Sequence, residues 1–144
     1  MKGIVVNNTE LIKNIEFSLF DKNEEPPENI LKIKKFKSQK ETPFEIIRQD
    51  EIVDVIESVL GFNSNKKIYI GTWDSLENIY ELTLDNQFKQ KYLNFMYEPE
   101  SFNNLIQPKH PFAIMYDSIF IFDENKILAI VADRYYDTTF IYNL

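Results

Sequence analysis

The sequence predicts an α+β fold: an antiparallel sheet drawn mainly from the C-terminal half, with two principal helices packed against it. Its C-terminal stretch is rich in β-formers, with apolar, β-branched or aromatic runs at 111–122, 127–132 and 138–142. Residues 43–60 repeat apolar side chains at helical spacing, and residues 86–96 do so again. No repeat, low-complexity tract or linker divides the chain, so 1–144 is expected to form a single globular domain.

Taken in order, residues 4–20 fit two descriptions. Thr9 could cap a helix carrying Leu11, Ile12, Ile15 and Leu19, whereas Ile15, Phe17 and Leu19 alternate with Glu16 and Ser18 as in a strand. A helix giving way to a short extended piece is expected. Residues 21–29, DKNEEPPEN, form an acidic exposed loop, because Pro26-Pro27 suits neither a helix interior nor a central strand. Residues 30–37, ILKIKKFK, alternate imperfectly and predict an edge strand whose lysines discourage unwanted pairing.

The helix at 43–60 has Thr42 as N-cap, Pro43 at its first position and Gly61 as its stop. Phe44, Ile47, Ile52, Val55, Ile56, Val59 and Leu60 should face inward. The outer face carries Asp50, Asp54 and Glu57 at i, i+4 and i+7, with Glu51 alongside. Residues 67–73 predict a strand with Ile68 and Ile70 on one face and Tyr69 and Trp73 on the other. Residues 74–84 suit either a short helix capped by Asp74 or Ser75, or a turn and a strand. The helix at 86–96, capped by Asp85, should bury Phe88, Tyr92, Phe95 and Met96, and 98–111 is a loop. Asp123-Glu124-Asn125-Lys126 is a hairpin connection, and 127–132 is apolar on both alternating faces, as a central strand covered on both sides would be.

Composition narrows the chemistry. The absence of cysteine removes disulfides, thiolate metal sites and a cysteine nucleophile together, and fits a reducing cytosol. No signal-peptide core and no run long enough to span a bilayer are present, so a soluble cytoplasmic protein without a membrane partner is expected. Three glycines and no phosphate-loop, dinucleotide or EF-hand pattern leave no cofactor to expect. The net charge of −7 repels nucleic acid and attracts cationic surfaces.

Catalytic equipment is sparse. His110, in Pro108-Lys109-His110-Pro111, is the single histidine: either a lone acid–base group or a surface loop residue. Asp117 followed by Glu124-x-Lys126 has the spacing of a metal nuclease, although a hairpin turn needs charged residues in any case. Lys32, Lys34, Lys35, Lys37 and Lys40 around Phe36 suit either single-stranded nucleic acid or a solvated edge strand, and the edge strand is preferred.

Three features favour protein recognition. Six acids against one arginine leave residues 41–60 at −5, and like charges at i, i+4 cost about 0.2–0.5 kcal/mol per pair, which a cationic partner would relieve. A solubilising exterior would have the same composition. Tyr135 and Tyr136, within Asp133-Arg134-Tyr135-Tyr136-Asp137, form an aromatic rim of the kind enriched in interfaces. Trp73-Asp74 ends a strand, as core or as anchor.

In size, acidity and composition, and in its β-rich end DSIFIFDENKILAIVADRYYDTTFIYNL, the chain resembles the bacterial immunity proteins of contact-dependent inhibition and related polymorphic toxin systems. The resemblance implies a non-enzymatic binder of a cognate secreted toxin domain, often a nuclease with a basic cleft. The acidic helix then puts the expected contact on Asp50, Glu51, Asp54 and Glu57, with Trp73, Asp74, Tyr135 and Tyr136 as anchors. The alternatives are a metal-dependent nuclease using Asp117, Glu124 and Lys126, or a structural or adaptor protein of phage origin that self-associates through an exposed strand.

Overall fold

The computed structural model describes residues 4–5, 10–21, 31–32, 35–72, 79–97 and 118–144. Its strands are β1 (Ile4–Val5), β2 (Ser38–Thr42), β3 (Lys67–Thr72), β4 (Ile79–Thr83), β5 (Ser118–Asp123), β6 (Leu128–Asp133) and β7 (Thr138–Asn143). All pair antiparallel in one sheet of order β1-β4-β3-β5-β6-β7-β2. The helices are α1 (Glu10–Leu19), α2 (Asp50–Leu60) and α3 (Phe88–Tyr97), and a 3-10 turn at Phe44–Arg48 precedes α2. This is the expected α+β architecture, with β5, β6 and β7 as a meander in the C-terminal part of the chain.

Strand alternation divides the apolar side chains between two faces. Ile68, Ile70, Leu82, Ile119, Ile121, Leu128, Ile130 and Ile141 face α2, α3 and the 3-10 turn. Tyr69, Phe120, Phe122, Ala129, Val131, Phe140 and Tyr142 face α1 together with Phe20 and Leu31. β6 therefore loses water from both faces, as its unbroken apolar sequence requires.

The α1 face is built from rings. Phe20 lies 5.0 Å from Phe120, and Phe120 stacks 6.2 Å from Phe122. Gly71, opposite Phe120 in the β3–β5 register, makes room for that ring: a Cβ there would lie 2.7 Å from it. The glycine inside KIYIGTW thus marks a close cross-strand approach.

Several expectations hold in detail. α1 buries Ile12, Ile15 and Leu19, and the short extended piece after it is a bridge from Phe20 to Leu31. Ile79–Thr83 is a strand, which settles that part of 74–84. α3 buries Phe88, Tyr92, Phe95 and Met96. Asp85 caps its first turn by accepting the Gln87 amide at 2.9 Å, and a hydrogen bond from Lys91 holds its carboxyl below the usual range. Thr9, the 22–29 part of the acidic loop, and 98–117 lie outside the described residues.

Two elements differ. The helix expected over 43–60 is broken at Gln49, whose φ of −117° and ψ of 167° are extended. One acceptor that a continuous helix would use internally, the Ile47 carbonyl, is taken by a distant side chain, and the first-turn Phe44 amide, which a helix leaves free, is taken by another. The Tyr92 hydroxyl donates to the Ile47 carbonyl, and the Phe44 amide donates to the Asp137 carboxylate at 3.2 Å. Thr42 caps nothing: its hydroxyl faces the Pro43 and Thr139 carbonyls, and Pro43 precedes the first turn. The break rotates α2, so Val53 is fully buried while Val55 and Val59 are only partly covered. Gly61 ends α2 as expected, at φ 102°.

The edge strand lies at 38–42, and none of the described residues of 30–37 belongs to it. Leu31 is buried in the α1-side core, and the Phe36 ring packs edge-on to Tyr142 at 5.1 Å. The apolar residues of ILKIKKFK that are described serve as anchors, and the register with β7 runs from Ser38, the Lys37 amide also donating to the Asn143 carbonyl at 2.6 Å.

Candidate functional site

β6 and β7 are joined by Arg134, Tyr135, Tyr136 and Asp137, with Asp133 and Thr138 as the flanking strand ends. Asp133 is buried, and its carboxylate accepts the Ser118 hydroxyl at 2.8 Å and the Tyr136 amide at 3.1 Å. The Asp137 amide donates to the Arg134 carbonyl at 3.1 Å, and the Thr138 hydroxyl donates to the Tyr136 carbonyl at 2.8 Å. Asp137 takes a left-handed φ of 51°, a conformation that aspartate tolerates better than most residues. Its carboxylate holds the Phe44 amide, tying the turn to the segment that leads into α2.

On this pinned backbone both tyrosines point into water. Tyr135 is 83% exposed and Tyr136 57%, and their rings meet edge to face at 4.9 Å. Large rings held in place before binding lose little entropy on contact, and each can bury about 150–250 Å².

The acids of α2 begin close by. Asp50 lies six positions after Phe44, so the chain keeps them within about 20 Å of each other. One interface of ordinary size, about 800 Å² per partner, can cover the turn and the first turn of α2. Asp50, Glu51 and Asp54 are exposed and Glu57 is half-buried. Asp50 pairs with Lys89 of α3 at 3.4 Å, and Glu45 grips Arg48 at 2.9 Å, so part of the local charge is compensated. Among the described residues, Glu51 and Asp54 have no ion-pair partner. An open groove of about 350 Å³ at the start of α2 is lined by Arg48, Gln49, Asp50, Glu51 and Leu93.

Burial, and then the charge of Asp54, push the Glu57 carboxyl above its ordinary 4.5, while Lys89 acts in the opposite direction. An acid whose pKa rises on folding favours the fold when protonated, and that contribution is lost as pH rises through the raised value. Glu57→Gln should therefore stabilise the protein at pH 7 by about 0.2–0.5 kcal/mol, the scale of a like-charge helix pair. The gain should vanish below about pH 4. Urea unfolding at the two pH values checks both.

Other sequence candidates fall elsewhere. Trp73, Asp74, His110 and Asp117 lie outside the described residues. Glu124 and Lys126 are exposed in the β5–β6 turn, and Lys126 has a left-handed φ of 56°. Among the described residues, no three His, Asp or Glu side chains gather to hold a metal, and no helix is long and apolar enough to cross a membrane. Lys32, Lys35, Lys37 and Lys40 are exposed, but Phe36 spends its ring against Tyr142. Sequence reasoning missed Asp123, Asp133 and Asp137 as the turn-holding residues. Their place at strand ends, before or within tight turns, was the available signal. It also missed Phe62, 66% exposed just after α2.

The tyrosine turn is thus tied by the Asp137–Phe44 hydrogen bond to the segment that leads into the acidic helix. Compared with known proteins, the chain matches no family model, no curated protein and no solved structure.

Proposed function

We propose that this chain is a non-catalytic binding protein that grips a basic protein partner, as an immunity protein grips its cognate toxin domain. The observation that carries this reading is the Tyr135–Tyr136 pair, exposed on a turn fixed by Asp133 and Asp137 and tied through the Phe44 amide to the segment that leads into acidic α2. Rigid aromatic anchors beside uncompensated carboxylates suit a cationic surface: the rings supply buried area, and the acids supply attraction and orientation. The net charge of −7 would speed encounter with such a surface, most strongly at low salt.

Capture from a lysate of the source organism, followed by binding kinetics with the captured partner, tests the reading. Tyr135→Ala with Tyr136→Ala should weaken binding by about 30-fold or more, the scale of one hot spot of 2 kcal/mol or above, mainly through faster dissociation. Asp50→Lys with Asp54→Lys and Glu57→Lys should slow association and flatten its salt dependence. Unchanged affinity in the folded tyrosine variant would reject the site.

A further inference from the structure

β2 is an edge strand, and its sequence Ser38-Gln39-Lys40-Glu41-Thr42 gives no side chain to either core. Ser38, Gln39, Lys40 and Glu41 are exposed and Thr42 is half-buried. Burial does not account for this strand.

Its backbone orientation follows from β7. The Leu144 amide donates to the Ile127 carbonyl at 2.9 Å. In the β6–β7 register this makes Ala129–Tyr142 and Val131–Phe140 hydrogen-bonded pairs. Thr139, Ile141 and Asn143 then turn their main-chain groups towards β2, where they meet Thr42, Lys40 and Ser38. The amides and carbonyls of Gln39 and Glu41 point outward, and among the described residues no strand lies beyond them.

We propose that β2 pairs antiparallel with β2 of a second copy of this chain, about a twofold axis at Lys40. In this register Gln39 of each copy exchanges both main-chain bonds with Glu41 of the other, so each of these outward groups is used. The side chains match across the axis: the Gln39 amide lies opposite a Glu41 carboxylate, and Ser38 lies opposite Thr42. Only Lys40 meets its own copy, and open sheet faces let the two ammonium groups splay into water. Pro43, which has no amide donor, ends the pairing. An isologous contact of this kind closes as a dimer, and its small area makes it weak and reversible. This contact uses neither the tyrosine turn nor α2, so it stands apart from the partner-binding reading.

Sedimentation of the purified protein from about 10 μM to about 1 mM tests it, that range bracketing weak association. The expected result is a reversible monomer–dimer equilibrium, tightened about two- to fivefold by Lys40→Thr, which removes the one like-charge pair. Gln39→Pro and Glu41→Pro should each abolish the dimer and leave the thermal midpoint unchanged, because these amides are not used within the chain. A monomer at every concentration in both wild type and Lys40→Thr would overturn the proposal, and so would a dimer that survives both proline changes. Should a proline variant fail to fold, hydrogen exchange of the wild type decides. Gln39 and Glu41 amides must slow with concentration while the Lys40 amide is protected throughout, and concentration-independent exchange rejects the pairing.

Discussion

Tyr92→Ala should cost about 4 kcal/mol of folding stability, and Tyr92→Phe about 1–3 kcal/mol. Tyr92 is fully buried between α3 and the sheet, with its ring 5.7 Å from Phe88. Truncation to alanine removes that ring from a close-packed core and leaves a cavity that its neighbours cannot fill. Phenylalanine keeps the ring and deletes only the hydroxyl, which donates to the Ile47 carbonyl 45 residues away in the chain. Without that donor a buried carbonyl at the broken helix turn is left unsatisfied. Burial also drives the Tyr92 phenol well above its ordinary 10, so the hydroxyl stays protonated and able to donate across the working pH range. Urea unfolding of the two variants separates the terms. Domains of this kind hold only about 5–15 kcal/mol, so the alanine change should also lower the thermal midpoint by about 10 °C. A phenylalanine variant as stable as wild type would mean that another group takes over the Ile47 carbonyl.

That hydrogen bond also marks where the sequence stopped being legible. β6 could be recognised because its two alternating faces are both apolar, a pattern that depends on no distant residue. α3 could be recognised because Asp85 and the spacing of Phe88, Tyr92 and Phe95 are local signals. The break at Gln49 could not, because it depends on Tyr92, 45 residues from Ile47. Local propensity favours an unbroken helix there, and tertiary hydrogen bonds override it. The edge strand was misplaced for a related reason. Its position is set by register with β7, whereas the hydrophobic pattern of 30–37 reports Leu31 and Phe36 packing individually.

Within the candidate site the same division applies. Exposed tyrosines in a polar strand connection, and acids at helical spacing, were visible as residue types. Lys89 beside Asp50, and the carboxylates that fix the tyrosine turn, come from elements brought together only by the fold. The sequence thus located the exposed rings and acids, but not what holds them or which of their charges are already paired.

The hairpin between β5 and β6 shows how a charged turn can hide a structural acid behind the residues that attract notice. Glu124 and Lys126 carry the nuclease-like spacing, yet both are exposed, whereas the preceding Asp123 is 1% exposed. Its carboxylate accepts the amides of Asn125 at 3.1 Å and of Ile127 and Leu128 at 2.9 Å. Asp123→Ala should therefore cost about 3 kcal/mol or more, since the buried Leu128 amide loses its acceptor and two flanking amides lose theirs. Asp123→Asn should cost less, because one carbonyl oxygen can still serve Ile127 and Leu128 while its NH₂ group confronts the Asn125 donor. Glu124→Ala should change stability by no more than about 0.5 kcal/mol, as exposed turn positions usually do. Lys126→Gly should stabilise by up to about 1 kcal/mol, because glycine accepts the left-handed φ that a side chain resists. Urea denaturation of the four variants ranks them directly. If Asp123→Ala and Glu124→Ala cost the same, the hairpin is held by strand pairing alone, and the buried carboxylate contributes nothing to the centre of the sheet.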